Sequence, residues 1–193
     1  MVSRRRMVRN FDDRPVPREA VDRIIDNARR APSAGFTQGW AFLVLEGREE
    51  TSRFWDATFP LPADRASFRR PGLFAAPLLV VCLSHKDAYL DRYAEPDKGW
   101  TDRSESHWPV PYWDVDAGFA ALLMLLTAVD LELGALFFGV FEVARFREAF
   151  GIPDAYTPVG AVAVGYPLPD ERPSSSLARG RRPLDDVVHR GRW

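Results

Sequence analysis

Residues 114–130 read as a helix without a polar face. Phe119, Leu122, Leu123, Met124, Leu125 and Leu126 crowd its middle, and a helix apolar almost all round has to be covered on most sides. Its apolar run, 117–129, lies between Asp116 and Asp130. That run is too short to span a bilayer and reads as a core helix. Everything else in the chain must therefore supply cover for it, either from its own elements or from a partner. With 193 residues the chain suits one domain, 1–193, with a sizeable core.

The covering elements are legible from local signals. Val16-Pro17-Arg18-Glu19 opens a first helix, where proline suits the first turn. Val21, Ile24, Ile25 and Ala28 recur at the spacing of one buried face, and Pro32 forbids continuation. Residues 41–46 read as a strand ending at Gly47. Residues 49–58 read as a helix stopped by Pro60 and Pro62, and 65–73 as weakly helical. Leu78-Leu79-Val80-Val81-Cys82-Leu83 is a buried strand, 134–138 a short one, and 159–166 the last clear core strand. A helix over 142–150 ends at Gly151 with Pro153 just beyond. Helices and strands alternate without repeat or linker, so the class is α/β or α+β.

Two stretches stand outside that scheme. Residues 89–113 are polar, aromatic and punctuated by proline, a composition that suits a binding loop or lid and equally a solvated loop anchored by its aromatics. After Pro167 a tail rich in Pro, Ser and Arg ends in 183–188, which suits a short strand.

Composition excludes several functions. The formal net charge is −1, so no global field draws nucleic acid or an anionic membrane, and any anion site is local. Cys82 is the single cysteine; it allows no intrachain disulfide and sits where a small core hydrophobe belongs. His85, His107 and His189 are scattered without metal-ligand spacing, so no metal site is expected. No Walker loop or G-x-G-x-x-G fingerprint occurs, and no Ser/His/Asp order has strand-turn support. The basic N-terminus lacks an apolar segment, so no secretory signal is expected and the protein should be cytoplasmic.

Two short motifs carry chemistry. Arg4-Arg5-Arg6-Met7-Val8-Arg9 is a candidate anion site. Ala31-Pro32-Ser33-Ala34-Gly35-Phe36-Thr37-Gln38-Gly39-Trp40 joins a helix to a strand with small residues that leave backbone N–H and C=O groups open to a flat heteroaromatic edge. Taken alone, a solvated basic arm and a plain turn are the commoner explanations.

In their order along the chain these motifs resemble the FMN-dependent nitroreductase family. Arg5-Arg6-Met7-Val8-Arg9-Asn10-Phe11, Pro15-Val16-Pro17 and residues 31–42 are similar to its opening elements. Leu133-Gly134-Ala135-Leu136-Phe137-Phe138-Gly139, Val162-Ala163-Val164-Gly165-Tyr166-Pro167 and the basic residues 179–183 follow in the family's order. The resemblance covers nearly the whole chain. It implies a mixed sheet surrounded by helices and a homodimer with FMN at the interface, the C-terminal tail being exchanged between subunits. It assigns Arg5 and Arg9, with Arg6 between them, to the FMN phosphate and ribityl chain, and Arg179 and Arg181 to further phosphate contacts. Guanidiniums converging on a dianion make strong forked bonds. Pro32 and Ser33 run along the flavin edge, Gln38 reaches the ring, and Phe137, Phe138 and Gly139 pack against it.

Three departures make the implied pocket greasier or reshape it. Phe36 stands where the family usually has Asn, Gly39 where it often has Pro, and Phe138 where several members carry Glu. The implied reaction is NAD(P)H-dependent reduction of an aromatic, nitro- or quinone-like small molecule by a ping-pong cycle. Trp100, Trp108, Tyr112 and Trp113 are the stacking candidates of a substrate lid, and no side chain is singled out as a proton donor. A flavin-dependent oxidase, dehalogenase or desaturase on the same scaffold is the alternative, with Tyr93, Glu95 and Lys98 as a substrate clamp. A non-catalytic flavin-binding protein is the other.

Overall fold

The computed structural model describes residues 1–68, 70–169 and 173–193. Its strands are β1 (Trp40–Glu46), β2 (Leu78–Ser84), β3 (Gly134–Phe138) and β4 (Thr157–Gly165), hydrogen-bonded in the order β1-β2-β4-β3. All three strand pairs are antiparallel. The parallel component is an isolated bridge between Met7 and Ala135, which lays the N-terminal arm along the β3 edge. The Val8 N–H donates to the Ala135 carbonyl at 3.0 Å.

β2 is buried at every residue, which explains its unbroken apolar run: helices cover both faces of the sheet. On one face α1 (Arg18–Ala28) and α5 (Tyr112–Asp130) enclose Ile24, Val80, Cys82, Met124 and Val162. On the other, α2 (Gly47–Thr58) and α6 (Val143–Phe150) enclose Phe54, Trp55, Leu79, Val81 and Phe146. α6 ends as its sequence dictates, on Gly151 at φ 63°.

α5 is the core helix. It is also the one helix among the described residues long and apolar enough to cross a membrane by length and composition. Ala117, Ala120, Ala121 and Ala128 are buried on it, and their small side chains allow close approach. Cover is nevertheless incomplete. Phe119 and Leu122 are 42% and 45% exposed, and with Tyr112 and Leu126 they share one face of the helix. The single chain leaves an apolar stripe facing outward.

Beyond shifts of one or two residues at element ends, four regions differ from the sequence reading. α4 (Lys86–Ala94) occupies the start of the 89–113 segment; only Tyr89 and Leu90 are buried on it, too few to make a helical period visible. α5 begins at Tyr112, so Tyr112 and Trp113 sit in its first turn rather than in a loop. The weakly helical 65–73 resolves into α3 (Pro62–Ala66) and a 3-10 turn, Pro71–Ala75. Residues 183–188 are not a strand in this chain. They contain a 3-10 turn, Leu184–Asp186, and the tail around it is exposed, with no neighbouring strand to pair with among the described residues.

Candidate functional site

The N-terminal arm is pinned by its own apolar residues. Val8 and Phe11 are buried, and Phe11 bridges Pro167. Between the arm and residues 167–169 and 173–181 lies a cavity of about 590 Å³, whose lining includes Arg5, Arg6, Arg9 and Arg181. Arg179 closes an exposed 3-10 turn nearby, Ser175–Arg179, outside that lining. Arg9 donates from Nη1 to the Met7 carbonyl at 3.0 Å. Arg5 is different: its Nη1 is buried without a hydrogen-bond partner. A buried cationic donor with no acceptor is costly, and an anion in the cavity would complete it.

The second group of site residues lies on the loop between α1 and β1. Gly35, Phe36 and Gln38 all have left-handed backbone, at φ 60°, 55° and 55°. For a bulky residue such as Phe that is an outlier. Contacts from outside the loop hold it there. The Ala34 N–H and the Tyr89 O–H both donate to Asp116 Oδ2, each at 2.8 Å, and Asp116 is 2% exposed. Arg92 Nε donates to the Gly35 carbonyl at 3.1 Å. Inside the loop the Thr37 hydroxyl donates to the Ala34 carbonyl at 2.6 Å, and the Gln38 N–H donates to Ser33 Oγ at 3.0 Å. Burial, reinforced by the Asp116 carboxylate, pushes the Tyr89 phenol far above its ordinary value, so it remains an O–H donor.

Both loop glycines are sterically required. A Cβ on Gly35 would lie 2.8 Å from the Tyr93 ring, and one on Gly39 would lie 2.4 Å from the Tyr89 ring. The Tyr89 ring thus leaves no room at Gly39 for a Cβ, proline's included. Pro32, Phe36 and Gln38 are exposed and Ser33 is half-buried, so this loop faces outward.

The arm lies on the β3 edge and the loop leads into the β1 edge, the opposite sides of the sheet. One chain therefore assembles the arginines in one place and the loop residues in another. The third group, at the end of β3, is split by the strand's alternation. Phe138 stacks on Trp55 with ring centroids 5.5 Å apart and an interplanar angle of 18°. Its ring thus belongs to the aromatic core of the α2 side. Phe137 lies on the other face, filling the space that a Cβ on Gly160 would need. Gly139 is exposed.

The aromatics expected for a lid gather into one cluster beside the loop. Tyr93 lies 4.5 Å from Trp108 and 4.8 Å from Trp100, and Trp108 lies 5.8 Å from Tyr112 and 6.0 Å from Trp113. Surface pairs tie it down: Arg92 with Asp97 at 2.7 Å and His107 with Asp102 at 2.9 Å. Hydrogen bonds from Arg92 and His107 hold the Asp97 and Asp102 carboxyls below their ordinary range. Of the clamp candidates, Glu95 pairs with Arg92 at 3.1 Å, and Lys98 lies over the Tyr93 ring at 5.3 Å. Burial pushes the Cys82 thiol up to about 12, as a core residue requires. Among the described residues no His/Cys/Asp/Glu group could hold a metal.

Sequence reading missed Asp116, Tyr89 and Arg92. A carboxylate at the head of an otherwise apolar run was the available signal, since a buried charge needs partners.

The nitroreductase family model matches residues 2–166. The chain belongs to the nitroreductase family. An Archaeoglobus fulgidus protein named NADH dehydrogenase/NAD(P)H nitroreductase is 30% identical over 198 residues, spanning 100% of this chain and 97% of its relative. A Staphylococcus aureus NADPH-dependent oxidoreductase is 24% identical and spans 100% of this chain and 72% of its own. Among solved structures, a Clostridium difficile nitroreductase family protein superposes with a TM-score of 0.72 at 23% identity, covering 100% and 96% of the two chains. A Desulfovibrio desulfuricans protein described as a nitroreductase, solved in complex with FMN, gives 0.70 at 24% identity over 97% and 92%. In this nitroreductase-family chain the arm and loop lie within the matched residues, and the tail arginines lie beyond them.

Proposed function

We propose that this chain is an FMN-dependent oxidoreductase that uses NAD(P)H to reduce an aromatic, nitro- or quinone-like acceptor in a ping-pong cycle, as one 193-residue domain working as a homodimer. The observation that carries the proposal is the buried, unpartnered Arg5 Nη1 beside a cavity of about 590 Å³ shared with Arg6, Arg9 and Arg181. A phosphate dianion fits that donor set in charge and in its need for forked guanidinium donors. The names of the relatives support the redox class, and the FMN-bound neighbour supports the cofactor.

FMN held there supplies reversible hydride and electron chemistry between NAD(P)H and the acceptor. The chain's residues do the holding. Arg5, Arg6, Arg9, Arg179 and Arg181 fix the phosphate end. Pro32, Ser33, Phe36 and Gln38 offer backbone and amide groups to the ring edge. Phe137 and Gly139 close the β3 side of the ring pocket, with Phe138 backing the strand from the aromatic core, and Trp100, Trp108, Tyr112 and Trp113 shield the acceptor from water.

A second copy joins the two groups. They lie on opposite sheet edges in one chain, so the loop of one protomer meets the arm of its partner. The open stripe of Phe119 and Leu122 supplies the apolar contact, and the exposed tail is free to cross. Anaerobic titration with NADH and NADPH tests the function. A flavin spectrum that bleaches establishes the reductive half-reaction. A bound flavin that stays oxidised points to an oxidase-type enzyme or a carrier, and a protein that takes no FMN refutes the cofactor assignment.

A further inference from the structure

The Ala34–Gln38 backbone holds a conformation that its own side chains disfavour, with Phe36 and Gln38 both at φ 55°. Such strain persists only where the surroundings over-determine it. Here the determining contacts come from far along the chain. Asp116 is 82 residues from Ala34, and Arg92 is 57 from Gly35. Asp116 is the hub, because one carboxylate oxygen takes both the Ala34 N–H and the Tyr89 O–H. Burying a carboxylate at the head of an apolar helix is costly. The two donors aimed at it offset that cost, and they would be left unsatisfied by an apolar replacement. Asp116 sits on the inner side of the loop while Phe36 and Gln38 face outward, so it acts through the loop and not on a ligand.

We propose that Asp116, seconded by Tyr89, is the positioning residue of the flavin-edge loop, presetting the Ser33–Gln38 backbone groups for the ring. This rests on the reading that the loop meets the flavin. The phosphate end is held by other residues, so loss of the Asp116 contact would leave FMN bound with its ring misplaced. Misplacement of a reacting ring lowers turnover more than it lowers substrate affinity.

The test uses Asp116→Leu, which leaves no acceptor, and the milder Tyr89→Phe in the full-length protein, with amide hydrogen exchange of residues 33–38 measured with and without FMN. Exchange at Ala34 should rise about tenfold or more in Asp116→Leu and by less in Tyr89→Phe without FMN, while β2 and β4 amides keep wild-type protection. In the loaded protein the flavin absorbance envelope should shift. The kcat should fall roughly tenfold with KM for the nicotinamide nearly unchanged, as expected for lost orientation. If wild type binds and reduces FMN but both variants exchange and absorb like wild type, the assignment to Asp116 is overturned and the functional reading stands. Uniform loss of protection through β2 and β4 overturns it too, since the role would then be global stability. If wild type takes up no FMN, the reading falls and this assignment falls with it.

Discussion

The two edges of the sheet carry their parts of the site in opposite ways. On the β3 edge, arginines surround a cavity of about 590 Å³ and one guanidinium nitrogen has no partner. On the β1 edge, the loop's Ala34 N–H, Gly35 carbonyl and Gln38 N–H are each engaged, and the backbone is held in a left-handed path. The first half waits for a charge, and the second is already set. The contrast follows from what each would recognise. A phosphate dianion attracts cations from many directions, so long side chains can settle around it. A ring edge offers hydrogen bonds in fixed directions, so its donors and acceptors must be placed beforehand.

The largest blow to this comparison would be separation of the two protomers of the proposed homodimer. Leu122→Arg puts a charge into the open stripe on α5, and it should give a folded monomer whose FMN affinity is lower by more than about 100-fold, because neither half alone can hold the cofactor. Sedimentation, circular dichroism and flavin titration together check this. A variant that remains dimeric and yellow would show that the stripe is not the joining surface.

Arg5→Ala sharpens the comparison from the β3 side. Loss of charge-assisted bonds worth about 1.5–3 kcal/mol should weaken FMN roughly 10- to 100-fold. Riboflavin, which has no phosphate, should bind the variant and the wild type alike. Parallel fluorescence titrations of the two ligands decide it, and equal losses for both would remove the phosphate from the β3 edge.

The smallest effect concerns the proposed lid beside the β1 edge. Asp97 and Asp102 have folded-state values depressed below their ordinary 3.8, through hydrogen bonds from Arg92 and His107. A depressed carboxyl contributes stability in full above its unfolded value and loses it as pH falls through its folded one. The lid tryptophans should therefore keep their fluorescence from neutral pH down to about 4 and change only in more acid solution. In Asp97→Asn, which cannot make the ion pair at any pH, that share of the acid change should disappear and the aromatic segment should be looser already at neutral pH.

How much of this was legible depended on how local the cause was. The first helix, the 78–83 strand and the Gly151 stop could be read because side-chain period and backbone preference act within a few residues. The arm and loop motifs were legible in kind, by resemblance. α4 escaped because burial of Tyr89 and Leu90 alone leaves no period. Residues 183–188 are strand-like in composition yet stay unpaired, because a strand needs a neighbour and the described residues offer none there. Asp116 was read only as the edge of an apolar run, since its donors are 27 and 82 residues away.

The sequence by itself determined the core helix, the buried strand and the two motifs, because apolar period, glycine and proline act on the chain locally. Tertiary structure alone decided that the arginines and the loop fall on opposite sheet edges. It also decided that a buried carboxylate holds a strained loop in place and that one face of the greasiest helix stays open. Each of those outcomes depends on which distant segments pack together, and packing is a property of the whole fold rather than of any stretch of it.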